Sequence, residues 1–513
     1  MSTASDVIVI GAGHNGLACA AALARAGLSV LVVEARATIG GLAGAFEFHP
    51  GYRAPGVLHD STGVRPGIVD SLGLGHHGLR LRPTPPDILS LEADGPGLMV
   101  AGDPRQAAAA VAARSERDAA ALVAWGDYLA KIRPTLSLLT DGPALDLVDA
   151  HAADLASLAR HALRLRKLGK RDMMELIRVL PLSLVDGLGE WFETPVLQGA
   201  LALPALLSSL HGPYAPWTHA ELLLTETAAG PGVVGDGPAL TLALEKAARA
   251  YGARIRTDAR VSQILLDDAG RVEGVALASG EDLRTGVIAA ACDPRTTLGG
   301  LVPVGALETR LEHNLDNYRC RGATAQLLLA LDKPLQLAEG RDVARARVAP
   351  SLLALERAAD AVKYGDMAEE PALDLYVPTV ERPSLAPAGG AVVSILAHYV
   401  PHALRGGWTD EARARLGDRV LAQLERHAPG VRDSIVAQVI RTPVDLERDY
   451  GLTGGHLYHG EHAVDQRLVR PIPGCARYRT PIPGLYLCGS GSYPGGGLTC
   501  APGYNAAGAI LRK

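Results

Sequence analysis

The stretch DVIVIGAGHNGLACAAALARAG, residues 6 to 27, constrains the fold more than any other part of the chain. A β-branched apolar run ends at Gly11, glycines recur at 13 and 16, and an Ala/Leu-rich run follows, which predicts strand, tight turn and helix. In such a unit Gly11 permits the turn, Gly13 lets backbone approach a pyrophosphate, and Gly16 lets helix and sheet pack closely. The helix N-terminus then faces the anion. LSVLVVE predicts a second apolar strand ending in Glu34, where a carboxylate accepts hydrogen bonds from ribose hydroxyls. The expected class is α/β with a Rossmann-type parallel sheet.

With 513 residues the chain exceeds one ordinary core, so two domains, or one with a large insertion, are expected. A net charge of -5 removes the polybasic signature of proteins that neutralise phosphates, and nucleic acid is excluded as a partner. Hydrophobic residues make up 48% but aromatics only 4%, so cores and pockets are expected to be aliphatic, a composition suited to apolar ligands. The six cysteines have neither CxxC nor Cys/His metal spacing, which points to a reducing cytoplasm and to no metal site. No apolar run reaches membrane-spanning length.

After Glu34, ARATIGGLAGAF supplies a second glycine pair, Gly40 and Gly41. Strand, GxGxxG, helix, strand, Glu and then GG resembles the FAD-binding opening of the amine oxidase and phytoene desaturase superfamily, which favours FAD over NAD. VGDGPALTLALEKAARAYGARIRTDARVSQILL, residues 234 to 266, resembles that superfamily's second FAD segment, and AACDPRTT at 290 to 297 resembles its close. Near the C-terminus, TPIPGLYLCG, PGGG and GYNAA, with GGHLYHG and DQ upstream, are most similar to the phytoene desaturase-related branch. That branch contains carotenoid desaturases, isomerases and ketolases, and proteins named after pyridine nucleotide-disulphide oxidoreductases.

The resemblance implies a Rossmann-type FAD-binding domain built from three chain segments, 1–75, 225–300 and 445–513. Residues 76–224 form a mainly helical cap, and 301–444 an inserted α+β substrate domain, amine oxidase/phytoene desaturase-like. The implied FAD contacts are Gly11, Gly13, Gly16, Glu34, Ala35, Arg36, Gly40, Gly41, Leu42, Val261, Gly489, Ser490, Gly497 and Leu498. Gly495 to Gly497 are expected to bring backbone amides against the cofactor, with Thr499 as N-cap and Pro502 in the first turn of a final helix. Cys500, at that helix start, is either a thiol of lowered pKa near the flavin or a small space-filling side chain. The chain lacks a second GxGxxG unit and a redox-spaced Cys pair, so disulphide reduction is not expected.

The function implied is FAD-dependent dehydrogenation, desaturation or isomerisation of a largely apolar, polyene- or isoprenoid-like substrate, with oxygen or a quinone as electron acceptor. His59, in a segment that passes near the isoalloxazine in relatives, either shuttles a proton or makes a structural hydrogen bond. His456 and His459 in GGHLYHG are candidates for catalysis or for shaping the backbone around the glycines; Asp60 and Arg53 are weaker candidates. Two alternatives stay open: an amine-oxidase-like flavoprotein, to which Tyr214 and Trp217 could supply part of an aromatic cage, and a non-catalytic FAD-containing interaction protein. In LASLARHALRLRKLGKR, Arg160, Arg164, Lys167 and Arg171 fall on one helical face opposite Leu155, Leu158, Ala162 and Leu165. That is either a solvated face or a peripheral membrane contact.

Overall fold

The computed structural model describes residues 5–92, 95–144, 152–337 and 342–512. Its first sheet is a five-stranded parallel one in the order Leu485–Leu487, Ile288–Ala290, Val7–Ile10, Val30–Val33, Arg254–Arg256, so distant parts of the chain meet in it. Every residue of Val7–Ile10 is buried, as a strand covered on both faces requires. Val7 and Val9 point into a core made with the helices His14–Arg25, Asp236–Ala250 and Ala501–Leu511. Ile8 and Ile10, one residue out of phase, point into a second core against the antiparallel sheet Val261–Leu266, Val272–Leu277, Asp282–Arg284.

A seven-stranded sheet runs Ile435–Arg441, Thr324–Leu331, Ala391–His398, Ala372–Tyr376, Arg345–Val348, Ile88–Leu91, Leu98–Val100. Its last two strands come from the region 76–224 expected to be mainly helical, where Ile88–Leu91 follows a Pro-rich stretch that breaks any longer strand signal. Alternation again sorts the side chains. Ala325, Leu327, Leu329, Val393, Ile395, Leu373, Leu375 and Ala346 form an apolar core beneath the helix Asp410–His427. Their neighbours in sequence, Gln326, Ser394, Asp374, Tyr376, Arg345 and Arg347, point to the opposite face, towards the parallel-sheet domain.

The helical region includes Glu116–Leu136, Lys170–Val179, Leu184–Trp191, Pro195–Leu206 and Thr218–Ala228, packed around the buried Trp125. Pro134 and Pro204 lie inside helices. The basic stretch is interrupted: one helix ends at Lys167 and the next begins at Lys170 after Gly169 with φ +82°, so Arg171 does not share a helix with Arg160 and Arg164.

Candidate functional site

The first glycine turn has the geometry its spacing demands. Gly11 sits at φ +97°, and a Cβ on Gly16 would lie 2.0 Å from the Gly11 carbonyl oxygen. Gly13 is the helix N-cap in ordinary extended backbone, with no side-chain cap, and a Cβ there would meet nothing within 4 Å. The Glu34 carboxylate accepts from Ala12 N–H at 2.7 Å and Arg36 N–H at 3.0 Å. These groups line a cavity of about 220 Å³ that runs from Glu34, Ala35, Arg36 and Val261 past Gly11, Gly13 and Gly16 to Gly41, Leu42, His459 and Ser490. Arg36 stacks its guanidinium 4.5 Å from the Tyr450 ring at the cavity's edge.

Uncapped helix N–H groups, a carboxylate at the adjacent strand end and an open Cβ position fit a dinucleotide's diphosphate and ribose. Two buried polar atoms in the lining, Asn15 Oδ1 and His459 Nδ1, have no protein partner. Both suit a bound group rich in hydrogen-bonding atoms.

Other candidates serve the walls. Gly40, at φ +105°, donates its N–H to Ala12 O at 2.8 Å, and a Cβ on it would strike Gly44 Cα at 2.6 Å. Gly489 packs against the Ala291 carbonyl, where a Cβ would sit at 2.5 Å. Gly497 and Leu498 line a second chamber beside this cavity. Two of the three glycines are also required by packing within the protein: a Cβ on Gly495 would lie 2.6 Å from His462 Nε2, and one on Gly496 2.2 Å from Tyr458 Cβ, whereas one on Gly497 would meet only Thr499 Cγ2 at 4.0 Å. Gly495 and Gly496 are pressed onto those two rings. His14 Nε2 donates to Gly497 O at 3.1 Å, so a residue lining one cavity touches a residue lining the other.

The second chamber, of about 120 Å³, is walled by segment 60–65, the helix Thr218–Ala228, the loop 494–499, residues 458–467 and two side chains of the polar sheet face, Arg347 and Asp374. His462 Nδ1 and Glu221 Oε1 are 2.9 Å apart, and Arg467 Nε lies 3.2 Å from Glu221 Oε2. Burial raises the Glu221 carboxyl against the pull of Arg467 and Arg470, and burial with Arg467 drives the His462 imidazole well below its ordinary range. Asp374 is raised by burial despite Arg347 and Arg345. Asp60 Oδ1 accepts from Thr62 N–H at 2.8 Å.

The three candidate histidines occupy different surroundings. His59 is 2% exposed, lines neither cavity, and shares a 2.6 Å hydrogen bond between Nε2 and Ser394 Oγ. Burial and Arg345 push it down to about 3, so it stays neutral. His456 Nδ1 accepts from the N–H groups of Tyr458 and Gly460, shaping the loop. His459, at φ +57°, faces the cofactor cavity. Arg53 is exposed on a hairpin strand, and Tyr214 and Trp217 are 50% and 44% exposed, so they form no cage. Cys500, 1% exposed, is itself the N-cap of the last helix, and Thr499 Oγ1 accepts from Ala501 N–H. Burial pushes its thiol up to about 12, the opposite of an activated thiolate. Sequence reading missed His462, Glu221, Arg467, Arg347 and Asp374; nothing in their local patterns marks them.

Residues 9–65 match the family model of an NAD(P)-binding Rossmann-like domain. The chain is 31% identical to pyridine nucleotide-disulfide oxidoreductase domain-containing protein 2 of Rattus norvegicus, over 99% of this chain and 93% of that protein. A limonene dehydrogenase polypeptide of Castellaniella defragrans is 30% identical over 98% of this chain and 93% of its own length. The lycopene-forming phytoene desaturase of Pseudescherichia vulneris is 29% identical over 52% of each chain. The chain belongs to the phytoene desaturase-related FAD-dependent oxidoreductases. Its fold is that of the wider superfamily: the crystal structure of putrescine oxidase with bound putrescine superposes over 100% of both chains with a TM-score of 0.58 at 16% identity. This oxidoreductase has six free cysteines and, among the described residues, no helix long and apolar enough to cross a membrane.

Proposed function

We propose that this FAD-dependent oxidoreductase removes hydride from a substrate carbon held in the chamber beyond the His14–Gly497 contact. The observation that carries this reading is the hydrogen bond from His14, in the lining of the cofactor cavity, to Gly497, in the lining of the second chamber, which sets a chamber with charged side chains in its wall beside the cofactor cavity. Bound FAD supplies a two-electron acceptor there, and oxygen or a quinone is the proposed final sink. Glu34 and the uncapped N–H groups at His14 to Gly16 would hold the dinucleotide, while the loop 494–499 and segment 60–65 orient the substrate and keep water out. The purified protein is expected to be yellow, to bleach anaerobically with a reducing substrate and to recover in air. A yellow protein inert to every donor would favour the scaffold reading, and a colourless one that takes up no FAD would falsify the cofactor reading.

An apolar, isoprenoid-like substrate draws support from the name of the limonene dehydrogenase relative and from the aliphatic composition. The aliphatic side chains, however, are used in the cores, and the chamber wall carries charge. A peripheral membrane contact draws support from Leu155, Leu158, Leu163, Met174 and Ile177, all at least 43% exposed beside Arg160, Arg164, Lys167 and Arg171. Charge reversal at Arg164 and Lys167 is expected to reduce sedimentation with anionic liposomes several-fold, and unchanged partitioning rules the contact out.

A further inference from the structure

A third cavity, of about 730 Å³, shares no lining residue with either of the two above, among the described residues. It opens between the helices Leu352–Lys363 and Asp410–His427, with residues 366–372 as a third wall. The side-chain pattern of the two helices makes the groove. Ala354, Ala358 and Ala361 recur at helical spacing on one face of the first, while its larger Leu352 and Val362 pack into the core of the helical region. Arg415, Arg419, Gln423 and Arg426 form a stripe on the second, whose Leu416, Val420 and Leu424 enter the core beneath it. One side of the cavity is therefore a smooth aliphatic surface, and the other carries guanidinium groups.

The walls are fixed by their own hydrogen bonds, and the charges do not balance. Arg405 lies 3.3 Å from Asp366, Arg426 donates to Glu370 at 2.7 Å, and Gln423 donates to Pro371 O at 3.0 Å. One Nη of Arg419 donates to Met367 O at 2.8 Å and Ala368 O at 3.0 Å, which holds the guanidinium in place. Its other N–H groups make no hydrogen bond, and no carboxylate pairs with it, among the described residues. Arg357 and Arg415, both exposed, have neither hydrogen bond nor ion pair among the described residues. Glu411, which attracts Arg415 from one turn back, stands outside the lining. Arg357, Arg415 and Arg419 thus face one unpaired carboxylate, Glu369, in a chain whose net charge is -5.

A guanidinium pinned through one nitrogen offers the rest of its planar fork to a carboxylate or phosphate. The volume falls within the roughly 300–1,000 Å³ of small-molecule pockets. A wholly polar anion would leave the alanine surface wet, and a neutral hydrocarbon would strip water from arginines it cannot pair with. We propose that this cavity is a ligand site for a small amphiphilic anion, its aliphatic body on Ala354, Ala358 and Ala361 and its carboxylate or phosphate head on Arg357, Arg415 and Arg419. The site is independent of the hydride-removal reading, since it draws on none of the residues that reading uses.

The test is calorimetric titration of the purified full chain at low salt with octanoate, octyl phosphate, butyrate, octylamine, inorganic phosphate and a hexaglutamate peptide. Octanoate and octyl phosphate are expected to bind, the tighter of the two naming the head group, and butyrate to bind more weakly by about threefold to fourfold for each CH₂ no longer buried. Arg357→Gln combined with Arg415→Gln is expected to weaken octanoate and octyl phosphate about 10- to 100-fold at an unchanged melting temperature, because both side chains are exposed and unpaired. Lys363→Gln, on the same helix as Arg357 but outside the lining, should bind as the parent does. Undiminished binding in the double variant puts the ligand elsewhere and overturns the site. Octylamine bound as tightly as octanoate overturns the charge selection, and inorganic phosphate bound as tightly as octyl phosphate overturns the apolar contact. Hexaglutamate bound more tightly than every small molecule makes the groove a peptide surface, and no heat from any of them overturns the proposal outright.

Discussion

Gly13→Ala is expected to fold with an unchanged melting temperature as apoprotein yet bind FAD about 10- to 100-fold more weakly, whereas Gly16→Ala is expected to lose both stability and flavin. The contrast follows from what each new methyl group meets. At Gly13 the backbone is ordinary, φ -72° and ψ 172°, and no protein atom lies within 4 Å of the Cβ position. Nothing within the protein requires glycine there, so the requirement comes from a ligand atom in the cavity. Forcing a methyl into such a packed contact costs about 1–3 kcal/mol, which sets the expected loss of affinity. At Gly16 the Cβ would stand 2.0 Å from Gly11 O and 3.2 Å from Ala291 Cβ, each just past the end of a parallel strand. The helix His14–Arg25 would have to lift off. Alanine is the better helix former by about 1 kcal/mol, so propensity predicts the opposite sign and the two accounts separate cleanly. Thermal melts of apoprotein and a flavin titration read both quantities; a destabilised Gly13→Ala would remove the ligand-based explanation.

What the sequence made legible divides along the same line. The glycine turn, the strand ending at Glu34 and the closing strand Leu485–Leu487 are local patterns, each determined by sterics and burial within about thirty residues, and the fold class follows from them. The chamber is different. Glu221, Arg347, Asp374 and His462 are ordinary members of a helix, two strands and a loop, and they acquire a shared role only when the seven-stranded sheet turns its polar face inward. Counting aliphatic residues does not place the charged side chains of the chamber, because composition does not reveal which side of a strand a residue occupies. The triple glycine was conspicuous in sequence, but the packing of Gly495 and Gly496 onto His462 and Tyr458, some thirty to forty residues away, was not.

Asp236→Asn is expected to destabilise the protein by roughly 3 kcal/mol, the effect of breaking one partner out of a buried ion pair. The Asp236 side chain is 2% exposed and accepts from Ser61 Oγ at 2.7 Å, Tyr376 Oη at 2.6 Å, Arg345 at 2.9 Å and Arg82 at 3.4 Å. Arg345, 8% exposed, lies 4.3 Å over the Tyr376 ring and donates to His59 O. Burial works against its charge, but Asp236 and Tyr376 outweigh burial and hold the guanidinium above its ordinary range. Asparagine suits the left-handed backbone, φ +51°, and can still accept hydrogen bonds, so the loss measured is chiefly that of the charge. A melting temperature several degrees lower is the expected reading. Adding Arg345→Met to Asp236→Asn should restore part of it, because the double variant buries no unpaired charge. Without that restoration the network would be holding geometry alone. With it, the pair is shown to carry a desolvated charge for a local purpose, and the purpose lies in its other contacts: Ser61 and the His59 carbonyl belong to the segment that runs on through Asp60 into the chamber wall. The same substitution should therefore also broaden the ligand-induced flavin spectrum, because the sheet's polar face would no longer hold that wall in one position.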